Sequence, residues 1–250
     1  MNQATTIAEV ISKLDDIIAW SILHNSRLGY FATLYRQMTV AIQQGIDHDL
    51  FEDGKRMEKL DVCFANRYFV AWEAYKNKQP CTDAWFAVFD ACENADLIVF
   101  QHLILGISTH INLDLCIATA EISPGDKIFD LKNDFNKIND LIAEQAQLVQ
   151  NTLSKIWFPL RYLNQISGGR EKAVLNFSID TARKASWANA VALAHADDFL
   201  KNRLVIQIEN MVIELSKKVI HPGFWLGFIL KPVRMMESKN VGNIIRLLKE

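Results

Sequence analysis

The sequence predicts an all-α protein, a single bundle of about eight helices around a buried central helix over residues 97–120. Composition is the first reason: half of the 250 residues are hydrophobic, 22% are charged, and only 10 glycines and 5 prolines occur. Long helices joined by few turns have this composition. The second reason is that apolar residues recur with the helical period of about 3.6 residues, without the alternation of half-buried strands. We therefore expect residues 1–250 to form one domain.

Four helices are predicted before the central segment. Thr5 or Thr6, followed by Glu9, resembles a capping box and starts the first of them. The third is expected to end before Pro80, because proline removes a backbone donor and clashes with the preceding turn. The four predicted ranges are 7–23, 28–45, 55–78 and 83–94.

The chain after the central segment is also predicted to be helical. Ser123 places a capping residue before Pro124, and proline suits the first position of a helix. A very long amphipathic helix is therefore expected over 127–157. The remaining predicted elements are a loop at 167–169, helices from 170, 198 and 240, and a C-terminal cap over 220–250 that includes the apolar segment 222–230.

The central helix is apolar on all sides but carries a line of polar residues. At about 100° per residue, His102, Gly106, His110 and Asp114 share a stripe roughly 120° wide. A helix that is apolar all round belongs inside a bundle. Buried imidazole and carboxylate groups need partners or a ligand, because desolvating them alone costs several kcal/mol. We therefore expect these side chains to line an internal cavity.

Several classes of function are not expected. A net charge of -2 and a pI near 6.3 give no basic field for nucleic acid. The 4 cysteines form no CxxC pair, which indicates reduced thiols rather than disulfides or a zinc knuckle. The first residues lack the pattern of a secretory signal, so a cytoplasmic location is expected. No transmembrane segment is expected either, because the central helix carries histidines and an aspartate.

Three stretches of the sequence resemble the bacterial family catalogued as domain of unknown function 5995. They are Phe64-Ala-Asn-Arg-Tyr-Phe69, Gly106-Ile-Ser-Thr-His-Ile-Asn-Leu-Asp-Leu115 and Arg183-Lys-Ala-Ser-Trp-Ala-Asn-Ala190. The resemblance extends over about residues 27–187, and it implies an all-helical domain without an established activity. A weaker likeness is to the helical zinc phospholipase C and P1 nuclease group, whose metal helix has a histidine and an aspartate four residues apart. His110 and Asp114 match that pair, but with 6 histidines a three-zinc site is not carried over.

A divalent metal is one interpretation of the polar stripe. His102, His110 and Asp114 offer nitrogen and oxygen ligands on one side of the helix, and Glu58 of the third helix is the expected fourth ligand. The other residues able to complete a metal shell are Asp61, Asn66, His195 and Asp198.

Catalysis without a metal is the other interpretation of the same residues. His110 and Asp114 could act as a general base, with Arg67 or Arg183 stabilising negative charge. Both arginines are expected to be buried and paired with carboxylates, because a guanidinium does not deprotonate. The residues expected to contact a substrate are Asn66, Tyr68, Asn112 and Trp187.

Two functions remain open from the sequence alone. One is a hydrolase or lyase that acts on a small, partly apolar substrate. The alternative is a non-catalytic helical protein that binds an apolar or lipid-like ligand. A homodimer is left open. In a purely structural interpretation, Asp114 fixes the tautomer of a core histidine and the arginines tie helices together.

Overall fold

The computed structural model describes residues 3–142 and 170–249, with the side chains of 170–178 and 224–229 left aside. The described residues are all-α and contain no strand, so the predicted fold class is confirmed. The α-helices in chain order are α1 (Ile7–Leu23), α2 (Leu28–Asp47), α3 (Gly54–Lys76), α4 (Asp83–Ala91), α5 (Val99–Thr109), α6 (Leu115–Ile122), α7 (Arg170–His195), α8 (Asp198–Ile220), α9 (Phe224–Met236) and α10 (Val241–Lys249).

The predicted central helix is present as a continuous rod. Helices α5 and α6 are joined end to end by a π-helical turn, His110–Asp114, and together they form the central rod, Val99–Ile122. Length and composition alone would allow the rod to cross a membrane, but 78% of its most apolar window is buried inside the protein. Helices α2, α3, α4, α7 and α8 all pack against it, so the rod is the core of the bundle.

The number of helices differs from the expected eight for two local reasons. The π turn divides the rod into α5 and α6, and the apolar segment after Pro222 forms a helix of its own, α9. The predicted start at 127 is also wrong, because Gly125–Leu131 forms a tight 3-10 turn that Gly125 enters with a φ of 60°. Residues 132–142 are helical; the rest of the predicted 127–157 helix and the loop at 167–169 lie outside the described residues.

Local signals in the sequence explain where two of the helices begin. The Thr6 side chain accepts a hydrogen bond from the backbone N–H of Glu9 at 3.2 Å, and the Glu9 carboxylate accepts one from the N–H of Thr5 at 2.7 Å. This is the predicted capping box. Helix α3 begins after Asp53, whose carboxylate accepts from the N–H of Arg56 at 2.9 Å.

The rod and α2 approach closely at Gly106. A Cβ atom there would lie 2.4 Å from Cγ of Phe31, so any larger residue would have to displace the Phe31 ring. Glycine thus lets the backbone of α5 touch an aromatic side chain of α2. Because Gly106 is one turn before His110, this contact also places Phe31 beside the π turn.

Candidate functional site

The site is built around the π turn of the central rod. His110 and Asp114 are both buried, and His110 Nδ1 lies 2.9 Å from Asp114 Oδ2. The indole N–H of Trp85 donates to the same Oδ2 at 2.8 Å, and Arg67 Nε donates to Oδ1 at 3.2 Å. Three donors from the rod, α3 and α4 therefore converge on one carboxylate. Single π turns inside α-helices are frequent at functional sites.

The surroundings of Asp114 define the protonation of His110. A carboxylate can only accept a hydrogen bond, so His110 Nδ1 carries the proton and donates a hydrogen bond to Asp114, which leaves a lone pair on Nε2. Burial lowers the pKa of His110, although the hydrogen bond and charge of Asp114 act in the opposite direction. The ring is therefore neutral near pH 7. Nε2 is buried and has no hydrogen-bond partner, as a free base would be.

Aromatic side chains hold the imidazole ring in place. The ring of Phe64 stacks on it with centroids 3.6 Å apart and an interplanar angle of 11°. Tyr35 meets it edge-on at 4.5 Å, and Phe31 does so at 5.6 Å. The imidazole is thus clamped by α2 and α3, and its orientation is set by packing as well as by Asp114.

His110 lines a cavity of about 130 Å³ between α2, α3, the rod, helical residues 132–142 and α7. For scale, an engineered cavity of about 150 Å³ in another protein holds benzene. The lining is almost entirely aliphatic and aromatic. Among the described residues that line it, the polar or titratable side chains are Tyr35, Asp61, His110 and Arg183.

Asp61 is the least satisfied group at this cavity. Its side chain is 3% exposed, and neither carboxylate oxygen has a hydrogen-bond partner in the described part of the chain. The buried hydroxyl of Tyr35 is also without a partner. Burial, with a smaller effect of the Glu58 charge, raises the pKa of Asp61 to about 7. Buried polar groups are nearly always hydrogen-bonded, so these unpaired groups at the wall of a cavity require an explanation.

Of the four residues predicted to bind a metal, only His110 and Asp114 lie together. His102 is buried but meets Tyr30 edge-on with centroids 5.8 Å apart, and it does not line the cavity. The Glu58 carboxylate accepts from the backbone N–H of Ile7 at 3.2 Å. Among the described residues no group of three His, Cys, Asp or Glu side chains could hold a metal ion. Two turns of helix separate His102 from His110, which is too far for a shared ligand.

The residues predicted to contact a substrate make structural contacts elsewhere and are not among the residues that line the cavity. Asn66 bonds both backbone groups of Ala4, at 2.8 and 2.9 Å. Asn112 donates to the Ser108 carbonyl at 2.9 Å. Tyr68 packs against Trp85 and Trp187 packs against Phe135, with ring centroids 5.1 and 4.9 Å apart. These amide and aromatic side chains take part in packing and hydrogen bonding, and none of the four lines the cavity.

The two arginines have different surroundings. Arg67 pairs with Asp114 as expected, but its side chain is 27% exposed and extends toward the surface, where Glu121 lies 3.7 Å away. Arg183 is buried and donates to the Asn139 side chain at 2.6 Å and to a backbone carbonyl. No carboxylate is within ion-pair distance of Arg183 in the part of the chain that the structure describes. The prediction that both arginines are buried and paired with carboxylates is thus wrong about the burial of Arg67 and about the partner of Arg183.

Two members of the site were missed or misassigned in the sequence. From the sequence, Tyr35 has no predicted role in the site, and Asp61 is predicted as a residue able to complete a metal shell. The available signal was an aspartate between Leu60 and Val62 in an aromatic-rich helix, one turn from Phe64. The prediction that Asp114 lines the cavity is also wrong, because only His110 of the pair does so.

Comparison with known protein families gives a match over most of the chain. The model of a family of unknown function, DUF5995, matches residues 7–222, a range that includes the rod and every described residue of the cavity wall. No curated protein and no solved structure matches the chain. The likeness to the zinc phospholipase C and P1 nuclease group is therefore unsupported.

Proposed function

The chain belongs to the DUF5995 family, and because that is a family of unknown function, we propose from the site itself that the protein is an acid–base enzyme. Its substrate is a small, partly apolar molecule that enters the cavity beside the rod. His110 Nε2 removes a proton either from the substrate or from a water molecule, which makes the reaction one of the lyase or the hydrolase type.

One observation carries this proposal. His110 lines the cavity, its Nε2 is buried without a hydrogen-bond partner among the described residues, and its other nitrogen is fixed by a carboxylate. Leaving a buried acceptor unpaired costs about 1–3 kcal/mol. The unpaired nitrogen alone does not distinguish His110, because the ring nitrogens of His102 are also unpaired; His110 differs in lining the cavity and in being fixed by Asp114. The cost is explained if Nε2 is kept free to accept a proton.

Asp114 acts as a positioning residue in this proposal. Its carboxylate holds the Nδ1 proton, selects the tautomer and stabilises the imidazolium that forms after proton transfer. Trp85 and Arg67 hold the carboxylate in turn, from α4 and α3. The base is thus attached to three elements of the bundle and does not need to reorganise during the reaction.

The alternative function is a binding protein for an apolar ligand. The observation that favours it is the composition of the cavity wall, which includes aliphatic side chains from α2, α3, the rod and α7. Such a wall provides affinity for an apolar molecule without any chemistry. Both functions use the same cavity, so the difference between them is whether proton transfer at Nε2 takes place.

The probe 1,2-benzisoxazole separates the two functions. Its ring opens when a base removes the single C3 proton, which forms the nitrile as the N–O bond breaks, and no other catalyst is needed. We expect turnover by the protein, and a loss of about 10²–10⁴-fold in His110→Asn, the range typical of a general base. Asn retains an N–H for Asp114 but lacks Nε2. Hydrolysis of 4-nitrophenyl acetate is followed in the same variants to cover the hydrolase type.

The matched control is His102→Asn, since His102 is an equally buried histidine of the same rod outside the cavity. It should leave turnover of both probes unchanged. Equal turnover by the wild type and His110→Asn would overturn the enzymatic proposal. Binding of benzisoxazole without any turnover would support the binding protein.

A further inference from the structure

We propose that the substrate of this cavity has an apolar body and one uncharged oxygen function, a hydroxyl or a carbonyl, and that Asp61 binds this oxygen as a neutral carboxyl group. The inference rests on the proposed function, because it names the substrate class of the same site. It makes Asp61 a specificity-determining residue, which neither the family match nor the His110–Asp114 pair indicates.

The positions of the unpaired polar atoms support this assignment. Asp61 is one turn before Phe64 on α3, and Phe64 stacks on His110, so Asp61 lies on the side of α3 that faces the imidazole. Tyr35 of α2 meets the same imidazole ring edge-on. Asp61, Tyr35 and His110 line one cavity and have polar atoms without partners. A ligand oxygen in the cavity would therefore lie among protein groups that lack a hydrogen-bond partner.

The charges around Asp61 favour its neutral form. Glu58 on its own helix disfavours a second negative charge, and burial acts in the same direction. The groups that face the cavity from the other elements are Tyr35 from α2, His110 from the rod and Arg183 from α7. None of them is within hydrogen-bond or ion-pair distance of the Asp61 carboxylate. A neutral carboxyl group both donates and accepts one hydrogen bond, which suits a hydroxyl or carbonyl oxygen.

The remaining wall restricts the rest of the ligand. Met57, Leu60 and Leu115 are among the buried aliphatic residues around the cavity, so a second charged or polar group on the ligand would be desolvated without a partner. A volume of about 130 Å³ is close to that of the cavity of about 150 Å³ that holds benzene. A six-membered ring with a single oxygen substituent matches both the size and the polarity.

Phenol and toluene test this assignment, because they have the same shape and differ in one hydroxyl group. Binding to the full-length protein is measured by isothermal titration calorimetry at pH 6. We expect the wild type to bind phenol about tenfold more tightly than toluene, the ratio that one buried hydrogen bond supplies. Asp61→Asn retains a donor and an acceptor and should keep the preference, whereas Asp61→Leu should lose or reverse it.

The dependence on pH provides a second measurement on the same samples. Ionisation of Asp61 removes its donor, so the binding of cyclohexanone, whose oxygen can only accept, should weaken between pH 6 and pH 8 in the wild type. Asp61→Asn does not ionise and should show a constant affinity for cyclohexanone. Thr119→Val is the matched control, because it removes a buried and unpaired hydroxyl of the rod that does not line the cavity.

The possible outcomes separate this inference from the proposed function. Equal binding of phenol and toluene by the wild type, an unchanged preference in Asp61→Leu, or no binding of either compound would overturn the assignment of Asp61. Failure of the proposed function has a different signature, which is a phenol preference that depends on Asp61 together with benzisoxazole turnover that does not depend on His110.

Discussion

The two buried histidines of the central rod have opposite surroundings. His110 lies in the π turn, bonds Asp114, is clamped by aromatic rings and lines a cavity. His102 lies two turns earlier in α5, and neither of its ring nitrogens has a hydrogen-bond partner. A second cavity of about 270 Å³, lined by Arg27, Tyr30 and Arg234, is near His102 but does not include it. Burial of a histidine is therefore not sufficient for a site.

The electrostatic surroundings of the two histidines also differ. Burial and the positive charges of Arg27 and Arg234 lower the pKa of His102 to about 3. At His110 the effect of burial is opposed by the hydrogen bond and the charge of Asp114. Both rings are neutral near pH 7, but a proton on His110 would be stabilised by a carboxylate, whereas a proton on His102 would be repelled by two arginines. Of the two histidines, only His110 has surroundings that stabilise an added proton.

The largest effect on stability is expected from Asp114→Asn. This change leaves the charge of Arg67 without its closest partner and weakens the bonds from Trp85 and His110, so unfolding should require about 3–5 kcal/mol less free energy. Urea denaturation measures the difference.

The corresponding change near His102, at the start of the rod, is Glu237→Gln. Glu237 accepts the N–H of Val99 at the start of the rod, and its pKa is raised to about 7 by burial, so much of the group is already neutral. We expect a loss of about 1 kcal/mol, the typical value of one hydrogen bond. Equal losses of unfolding free energy in Asp114→Asn and Glu237→Gln would contradict the difference between the surroundings of His110 and His102.

The next effect concerns Asp61, and it has the opposite sign. The folded protein holds a proton on Asp61 up to about pH 7, whereas the unfolded chain releases it near pH 4. Stability associated with this proton is fully present below pH 4 and is lost as the pH rises through about 7. Asp61→Leu should therefore be more stable than the wild type at pH 8, by up to about 4 kcal/mol for a shift of three units. This difference should shrink on acidification to pH 4.

Thermal unfolding at a series of pH values measures the Asp61 effect. A variant that is no more stable than the wild type at pH 8 would show that Asp61 has partners in solution. It would then not be an unpaired group held for function.

A further effect on stability is expected from Gly106→Ala, midway between the two histidines. The new methyl group would overlap the Phe31 ring, and overpacking of this kind costs about 1–3 kcal/mol. Gly242→Ala in α10 is the matched control: its Cβ would be 3.5 Å from the nearest atom of another residue, so it should stabilise the helix by about 0.5–1 kcal/mol. Opposite signs in the melting temperatures would confirm the close contact of α5 and α2. A loss of equal size in both variants would argue against it.

Much of the fold could be predicted from the sequence because helical periodicity is a local signal. The predicted range 7–23 coincides with α1, and the predicted central helix differs from the rod by two residues at each end. The helix predicted to start at 127 was less accurate, because the φ of Gly125 that produces the 3-10 turn is not visible in a pattern of apolar residues.

The site was predicted only where its members are close in sequence. His110 and Asp114 are four residues apart on one helix, so their contact follows from helical geometry. The contacts of Asp114 with Arg67 and Trp85 join residues 47 and 29 positions away, and among several possible carboxylates only packing decides which is used. The role of Asp61 depends on the absence of partners around it, which no sequence pattern encodes.

The central claim is that His110 keeps an unprotonated Nε2 in the cavity, and nitrogen-15 NMR of the imidazole rings tests it most directly. Two-bond correlations from the ring protons distinguish a protonated nitrogen from one with a lone pair, and His110→Asn and His102→Asn assign the two buried rings. We expect His110 to show a proton on Nδ1 and a lone pair on Nε2 at pH 7, and to remain neutral somewhat below the usual pKa of histidine. A proton on Nε2 at pH 7, whether in the other tautomer or in an imidazolium, would contradict the account.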